Sequence, residues 1–382
     1  MILFNALCRN QIKQQSLVRF IVLGLTLLLG SGLWACSASA AFGESAHTDS
    51  LLAALSPKLP VYFCDEEVPL DSSQQVKERF EKEMLLILWD RPQVLLWLKR
   101  SHKYFPEIEK QLSKAGMPED LKYLPIVESA LRPHAGSSKG AIGFWQLLPE
   151  TARKYGLTVN GNVDQRRAIV PSTRGALAYL KKLHKQFDSW TLAAAGYNMG
   201  EERLSAEILE QDTQNYYQLY LPLETQQFVF RIVVIKLILS NPKNYGFSLK
   251  ASDYYPPLQY DTITLDAFDE LPLRLVAKAA KADFKTIKDL NPDLRGYYIS
   301  AGTRKILLPK GMSKGFLKRF RVLTKKYTKD VKSRIYIVQP GDNLTIIAEK
   351  HNVPLASLLI WNKLNLNNPI HPGDHLVIHP PK

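Results

Sequence analysis

The sequence predicts a mainly α-helical protein that gives way, in its last third, to small modules of strand, helix, helix and strand. Three observations carry this. Between Val76 and Gly246 apolar residues recur at the spacing of a helix with one buried face. After residue 255 the pattern changes to short strand-like runs flanking two brief helical stretches, and it does so twice. A chain of 382 residues with 46% hydrophobic content is long and apolar enough for two or three domains with cores of their own.

Residues 1–40 read as an export signal. Arg9, Lys13 and Arg19 precede the apolar run Phe20 to Leu29, and small residues follow. The run is short for a bilayer span. Two cleavage sites compete: Leu33-Trp34-Ala35-Cys36 would leave an acylated Cys36, whereas Ala38-Ser39-Ala40 would release the chain. Residues 41–75, with Pro57, Pro60 and Pro69, read as a linker with little regular structure. Cys64 lies there beside Asp65-Glu66-Glu67, acids that disfavour its thiolate and make it an inert thiol.

The helical region spans 76–246. Phe80, Met84, Ile87 and Leu88 mark a first helix, broken at Arg91-Pro92. Val94 to Leu98 mark a second, and Phe105, Ile108 and Leu112 a third ended by Gly116. Val170-Pro171-Ser172 opens a helix through Leu183. Trp190 to Gly200 is a small-residue helix that allows close packing and ends at Tyr197-Asn198-Met199-Gly200. Gln226 to Leu239 is strongly apolar, but Arg231 and Lys236 argue for a buried helix rather than a membrane span.

The stretch Leu121–Leu157 carries the chemistry. Glu128 ends a short apolar run, and Gly143-Phe144-Trp145-Gln146 follows after a flexible connection that includes Ser137. A carboxyl facing a turn and an aromatic wall is placed to keep its proton, because burial penalises the charged form. Taken alone, an isolated Glu is more often a solvated surface residue. Four elements in order, Glu128-Ser129, Ser137, Gly143-Phe144-Trp145-Gln146 and Tyr197-Asn198-Met199-Gly200, change that balance. Together they resemble the soluble lytic transglycosylase family, which has a lysozyme-like, goose-type helical fold. The common family form has Leu-Met before the Gln, and Phe144-Trp145 in its place would alter the shape of the sugar wall.

Residues 255–310 read as strand (Tyr260 to Thr264), helix (Leu271 to Ala280), helix (Phe284 to Leu290) and strand (Ile306 to Leu308). That order resembles a degenerate LysM module, without the Gly-Asp turn after the first strand. A basic linker follows over 311–334, read as a solvated charged segment or helix that could also touch anionic wall or lipid. Residues 335–382 resemble LysM throughout, from Tyr336 to about His379. That family binds N-acetylglucosamine-containing glycans between its first strand–helix loop and its second helix–strand loop. The resemblance implies a groove lined by Gly341, Asp342, Asn343 and Leu344 on one loop and Asn368, Pro369 and Ile370 on the other. Turn chemistry is the competing explanation for most of these.

The net charge of +14 suits nucleic acid, an anionic membrane or an acidic wall polymer, and an export signal argues against nucleic acid. Cys8, Cys36 and Cys64 have no zinc-ligand spacing, and no metal or cofactor motif is present. A glycosidase ordinarily needs two carboxylates. The matched motifs supply only Glu128; Glu150 reads as a solvated helix start. The resemblance implies a single-acid reaction on peptidoglycan glycan strands. Glu128 acts as acid and then base, while Ser137, Gln146, Tyr197 and Asn198 hold the sugar, and the product is a 1,6-anhydromuramoyl end. It also implies a periplasmic enzyme anchored to the outer membrane of a Gram-negative bacterium through Cys36. A lysozyme-like hydrolase and a non-catalytic wall-binding scaffold are the alternatives.

Overall fold

Ser73 accepts a hydrogen bond from the Val76 amide and so starts the first long helix, where the apolar spacing predicts one. The computed structural model describes residues 52–332 and 334–378; the export signal and Cys36 lie outside them. The described residues fall into two units. One contains the stretch to Thr151 together with 173–256, and the other contains 152–172 and everything from Pro257 onward.

In the first unit, β1 (Val61–Phe63) and β2 (Glu66–Val68) form an antiparallel hairpin. The helices are α1 (Gln74–Trp89), α2 (Arg91–Ala115), α3 (Leu124–Ser129), α4 (Pro149–Lys154), α5 (Ile169–Phe187), α6 (Trp190–Met199), α7 (Glu201–Gln211) and α8 (Leu223–Ser240). α4 and α5 cross the boundaries between the units. The second and third helices expected between Val94 and Leu112 are a single 25-residue helix that runs through Pro106. Gly116 ends it with φ +59, its amide bonded to Leu112 and Ser113, a left-handed cap that glycine adopts at little cost.

The linker expected over 41–75 is in part structured. The hairpin buries Phe63 and Cys64, and its Glu66 carboxylate reaches the start of α6. There it accepts from the Thr191 amide at 3.0 Å, from Ser189 Oγ and Thr191 Oγ1, and from the Trp190 amide. A carboxylate at a helix N-terminus meets unpaired N–H groups and the positive end of the dipole. An acid in a Pro-rich stretch, one of three in a row, does not reveal such a partner more than 120 residues away.

α8 is the hub of this unit and packs against α1, α3 and α6. Its interrupting cations are both paired. Arg231 Nε meets the buried Glu83 of α1 at 2.8 Å, and Lys236 meets Asp120 at 2.7 Å. No helix among the described residues is long and apolar enough to cross a membrane.

In the second unit, β3 (Tyr260–Ala267) pairs antiparallel with β6 (Gly302–Pro309). Between them lie β4 (Leu271–Pro272), α9 (Leu273–Ala279), α10 (Phe284–Leu290) and β5 (Tyr298–Ile299). The expected order is present, with an addition. Of the two readings of the basic segment, the helix is the one found, but it is not simply solvated: α11 (Phe316–Lys332) buries Phe316 and Phe320 in the same core as Leu273, Val276 and Ile306. Lys318, Arg321, Lys325 and Lys329 sit exposed on its other side, whereas Arg319 is partly buried and donates to Ala279 O at 2.6 Å. Val163, from the 152–172 excursion, joins this core and bridges to Leu294.

The terminal module contains β7 (Ile335–Ile337), α12 (Leu344–Lys350), α13 (Leu355–Asn362) and β8 (His375–Val377), with β7 antiparallel to β8. It shares a hydrogen-bond staple with the module before it. Asn362 Nδ2 donates to Leu358 O and Val377 O, and its Oδ1 accepts from the Val377 amide. Asn291 does the same with Ile287, Leu307 and the Leu307 amide, at 2.8 Å each. One side chain thus ties the end of the second helix to the closing strand in both modules.

Candidate active site

Glu128 lies in the last turn of α3, a six-residue helix with Pro125 in its first turn. The helix stops because Ala130 and Leu131 both turn left-handed, at φ +52 and +56, with Ala130 N–H bonded to Ile126 O at 2.8 Å. Two non-glycine residues in that region carry strain that the surroundings must hold in place. Arg100 of α2 does part of this by donating to Ala130 O at 3.0 Å. Ser129 points inward and donates to Pro125 O and to Phe144 O at 2.8 Å, which braces α3 against the Gly143–Gln146 loop. It is a structural member of the motif.

Packing pushes the partly covered Glu128 carboxyl up to about 8. Desolvation is the larger cause, and the negative charge of Glu224 is the second. Glu224 is an exposed residue in the first turn of α8, nearly a hundred positions away in sequence. Sequence alone misses it. Its only local signal is an acid opening a helix, which is ordinary helix-start composition. Glu150, by contrast, is exposed at the start of α4, as expected.

The other motif residues are held in unequal ways, and of them Tyr197 is the one on which the Glu128 charge acts. Tyr197, near the end of α6, donates its hydroxyl to Trp145 O at 2.7 Å. Burial, followed by the Glu128 charge, holds that phenol well above its usual range, so it remains a donor. Asn198 Oδ1 accepts from Thr225 Oγ1 at 2.8 Å, tying the end of α6 to the turn that carries Glu224. Gln146, at φ +46, spends its Nε2 on Ala135 O and Gly143 O and so closes the loop over 135–146. Ser137 Oγ accepts from the Ala141 amide at 3.1 Å in an exposed turn of that loop.

The expected aromatic wall is not at the surface. Phe144 is buried against Tyr104, and Trp145 is 0% exposed with its indole N–H donated to Thr173. These rings are the floor on which the loop rests, because two bulky apolar side chains gain more from the core than from solvent. Gly196 in α6 leaves no room for a larger residue: a Cβ there would meet Phe187 at 3.0 Å. Among the described residues no group of three or more His, Cys, Asp or Glu is placed to hold a metal.

In the terminal module, Gly341 has φ +86, and Asp342 Oδ2 accepts from Tyr336 Oη at 2.7 Å and Gln339 N–H at 2.8 Å. Those bonds hold the Asp342 carboxyl below its usual range. Asn343 caps α12 through the Ile346 amide. Asn368 closes its turn on the Asn365 amide, Pro369 is exposed and Ile370 packs on the module's core. Leu344 is 8% exposed and belongs to that core, where the first turn of an amphipathic helix puts it.

Known proteins share much of this chain. Residues 105–220 match the family described as Transglycosylase SLT domain, and residues 336–379 match LysM domain. The proteins named membrane-bound lytic murein transglycosylase D of Escherichia coli K12 and O6:H1 are each 33% identical over 293 residues. That is 73% of this chain and 64% of each relative's own length. A solved lytic transglycosylase Slt from Pseudomonas aeruginosa is 24% identical over 40% of this chain and 26% of its own, with a TM-score of 0.32, an overlap too partial to bear on the architecture. The chain therefore carries a transglycosylase SLT domain and a LysM domain, and over most of its length it is similar to membrane-bound lytic murein transglycosylase D.

Proposed function

We propose that this chain is a peptidoglycan lytic transglycosylase with Glu128 as its general acid and base. The observation that carries the reading is a carboxyl raised to about 8 inside a matched SLT domain, since such a group enters neutral pH with its proton in place. The proton goes to the oxygen linking N-acetylmuramic acid to N-acetylglucosamine as the bond from that oxygen to the muramoyl anomeric carbon breaks. The substrate's own 2-acetamido group stabilises the positive carbon. Glu128, now a carboxylate, takes the proton of the muramoyl 6-hydroxyl, whose oxygen closes on the same carbon. The products are a 1,6-anhydromuramoyl end and a free N-acetylglucosamine 4-hydroxyl; no water is consumed and Glu128 regains its proton.

In this reading Tyr197 and Gln146, whose donors are taken up by backbone carbonyls, set the shape of the loop beside Glu128. Asn198 and Ser137 keep N–H and O–H groups for the acetamido carbonyl. The terminal module holds the enzyme on glycan strands through the loops around Asp342 and Asn368. The relatives' description as membrane-bound supports an envelope location, with lipid at Cys36 as the anchor.

One observation favours a second reading. A second carboxylate, Glu224, acts on Glu128, and paired carboxylates are what a hydrolase uses to activate water. Mass spectrometry of the fragments released from purified sacculi separates the two, because an anhydro end is lighter than a reducing end by one water. Anhydro ends support the transglycosylase; reducing ends alone overturn it in favour of the hydrolase. No release at all would leave a wall-binding scaffold.

A further inference from the structure

The module over 257–332 keeps the asparagine staple of the terminal LysM domain but not an open groove. The two loops that would flank a glycan are joined by backbone pairing, Leu271 with Ile299 and Pro272 with Tyr298, and by Leu273 N–H to Tyr297 O at 2.8 Å. In exchange the module has α11, and between α11 and the end of β3 lies a groove of about 840 Å³. Arg321, Lys325 and Lys329 line one wall, with Leu317; Phe268 and Asp269 line the other.

We propose that this face docks on an anionic phospholipid surface. Phe316 and Phe320 turn one side of α11 into the core. On the opposite side Lys318, Arg321, Lys325 and Lys329 are all exposed, with spacings of three and four residues that align them over about 16 Å of helix. No acid among the described residues pairs with any of them, and Asp266 across the groove is engaged by Thr303. A cationic row alone would suit any polyanion. The apolar side chains beside it decide for lipid: Phe268 is 96% exposed, Val322 64% and Leu317 46%. A protruding Phe gains nothing from a hydrated glycan carboxylate, whereas it inserts readily at the headgroup boundary that the lysines approach. The surface is independent of any lipid at Cys36 and of the reaction at Glu128.

The test is co-sedimentation of the full-length chain with vesicles of phosphatidylcholine alone or with a third of the lipid replaced by phosphatidylglycerol, at low and high salt. Each Lys or Arg near an anionic surface contributes roughly a factor of five in partitioning. Lys325→Glu with Lys329→Glu is expected to lower binding to the anionic vesicles at least tenfold and to abolish its salt dependence. Phe268→Ser is expected to lower it several-fold with the salt dependence kept. Parent and variants share residues 1–51, so any binding by that segment cancels, and unchanged activity on soluble glycan shows that the variants fold. Equal binding of parent and charge-reversed chain overturns the proposal. So does a charge-reversed chain that loses sacculi but not vesicles, which would assign the face to the wall.

Discussion

In the proposed reaction Glu128 ties activity and stability to the same proton. Its folded value, about 8, lies above the ordinary 4.5, so the unfolded chain releases the proton first as pH rises. Below about pH 4.5 both states hold it and the residue has no effect on the pH dependence. Between 4.5 and 8 stability falls as pH rises, and above 8 the loss is complete. Glu128→Gln is therefore expected to abolish cleavage, by about 10²–10⁴-fold or more, and to be the more stable protein at high pH. The gain relative to the parent should grow from nothing near pH 4.5 to on the order of 3–5 kcal/mol at pH 8, rising by about 1.4 kcal/mol for each step of one in pH. Denaturant melts at several pH values check this; a constant difference would mean that Glu128 is not the raised group. Glu224→Gln tests the neighbour. Removing its charge should lower the Glu128 value, so the alkaline limb of the pH–rate profile moves to lower pH while desolvation keeps it above that of a free carboxyl.

At the scale of elements, α8 is held to α1 by a buried ion pair. Glu83 is 2% exposed, and Arg231 is the cation that meets it. Arg231→Met would leave the carboxylate buried without that cation, a change that costs about 3–5 kcal/mol in a dry site. Because Arg231 itself is about a third exposed, roughly 2–3 kcal/mol is expected. The double variant Glu83→Leu, Arg231→Met should recover most of that, because apolar replacement of both partners removes the orphaned charge. Urea denaturation of the single and double variants measures it; a double variant as unstable as the single would show that packing, not charge, is at issue. α6 has a related constraint. Gly196→Ala would press on Phe187, and a loss of about 1–3 kcal/mol is expected from overpacking, with the activity falling as Tyr197 moves.

At the scale of the molecule, the proposed reaction and the proposed wall contact occupy different parts of the chain. The SLT match ends at 220 and the LysM match begins at 336. Deleting residues 335–382 is expected to weaken pull-down by insoluble peptidoglycan while turnover of short soluble fragments persists, since a tethered module raises local concentration without touching the chemistry. Equal pull-down of truncated and intact chains would remove the terminal module from wall binding. The structure also changes how the middle of the chain is built. The middle module shares the asparagine staple of the terminal module, β4 pairs with β5 between its two loops, and α11 completes its core.

By itself the sequence determined the helical region and the strand and helix order of both small modules, and it singled out Glu128 as the candidate acid. Helix and strand periodicity are local, and the order Glu128, Ser137, Gly143 to Gln146, Tyr197 to Gly200 is specific as a set. Export, acylation at Cys36 and the domain limits remain expectations of the sequence. Tertiary structure decided what depends on distant partners. It joined two expected helices through Pro106, because an i to i−4 ladder can be held by packing that a sequence window does not contain. It made Glu66 of the supposed linker an acceptor for the first amides of α6, and it folded the basic segment onto a core through Phe316 and Phe320. It sent Phe144 and Trp145 inward, where the sequence pattern cannot tell a sugar wall from a floor. Above all it brought Glu224 to Glu128: an electrostatic neighbour is defined by distance in space, and nothing in the spacing of residues along the chain records that distance.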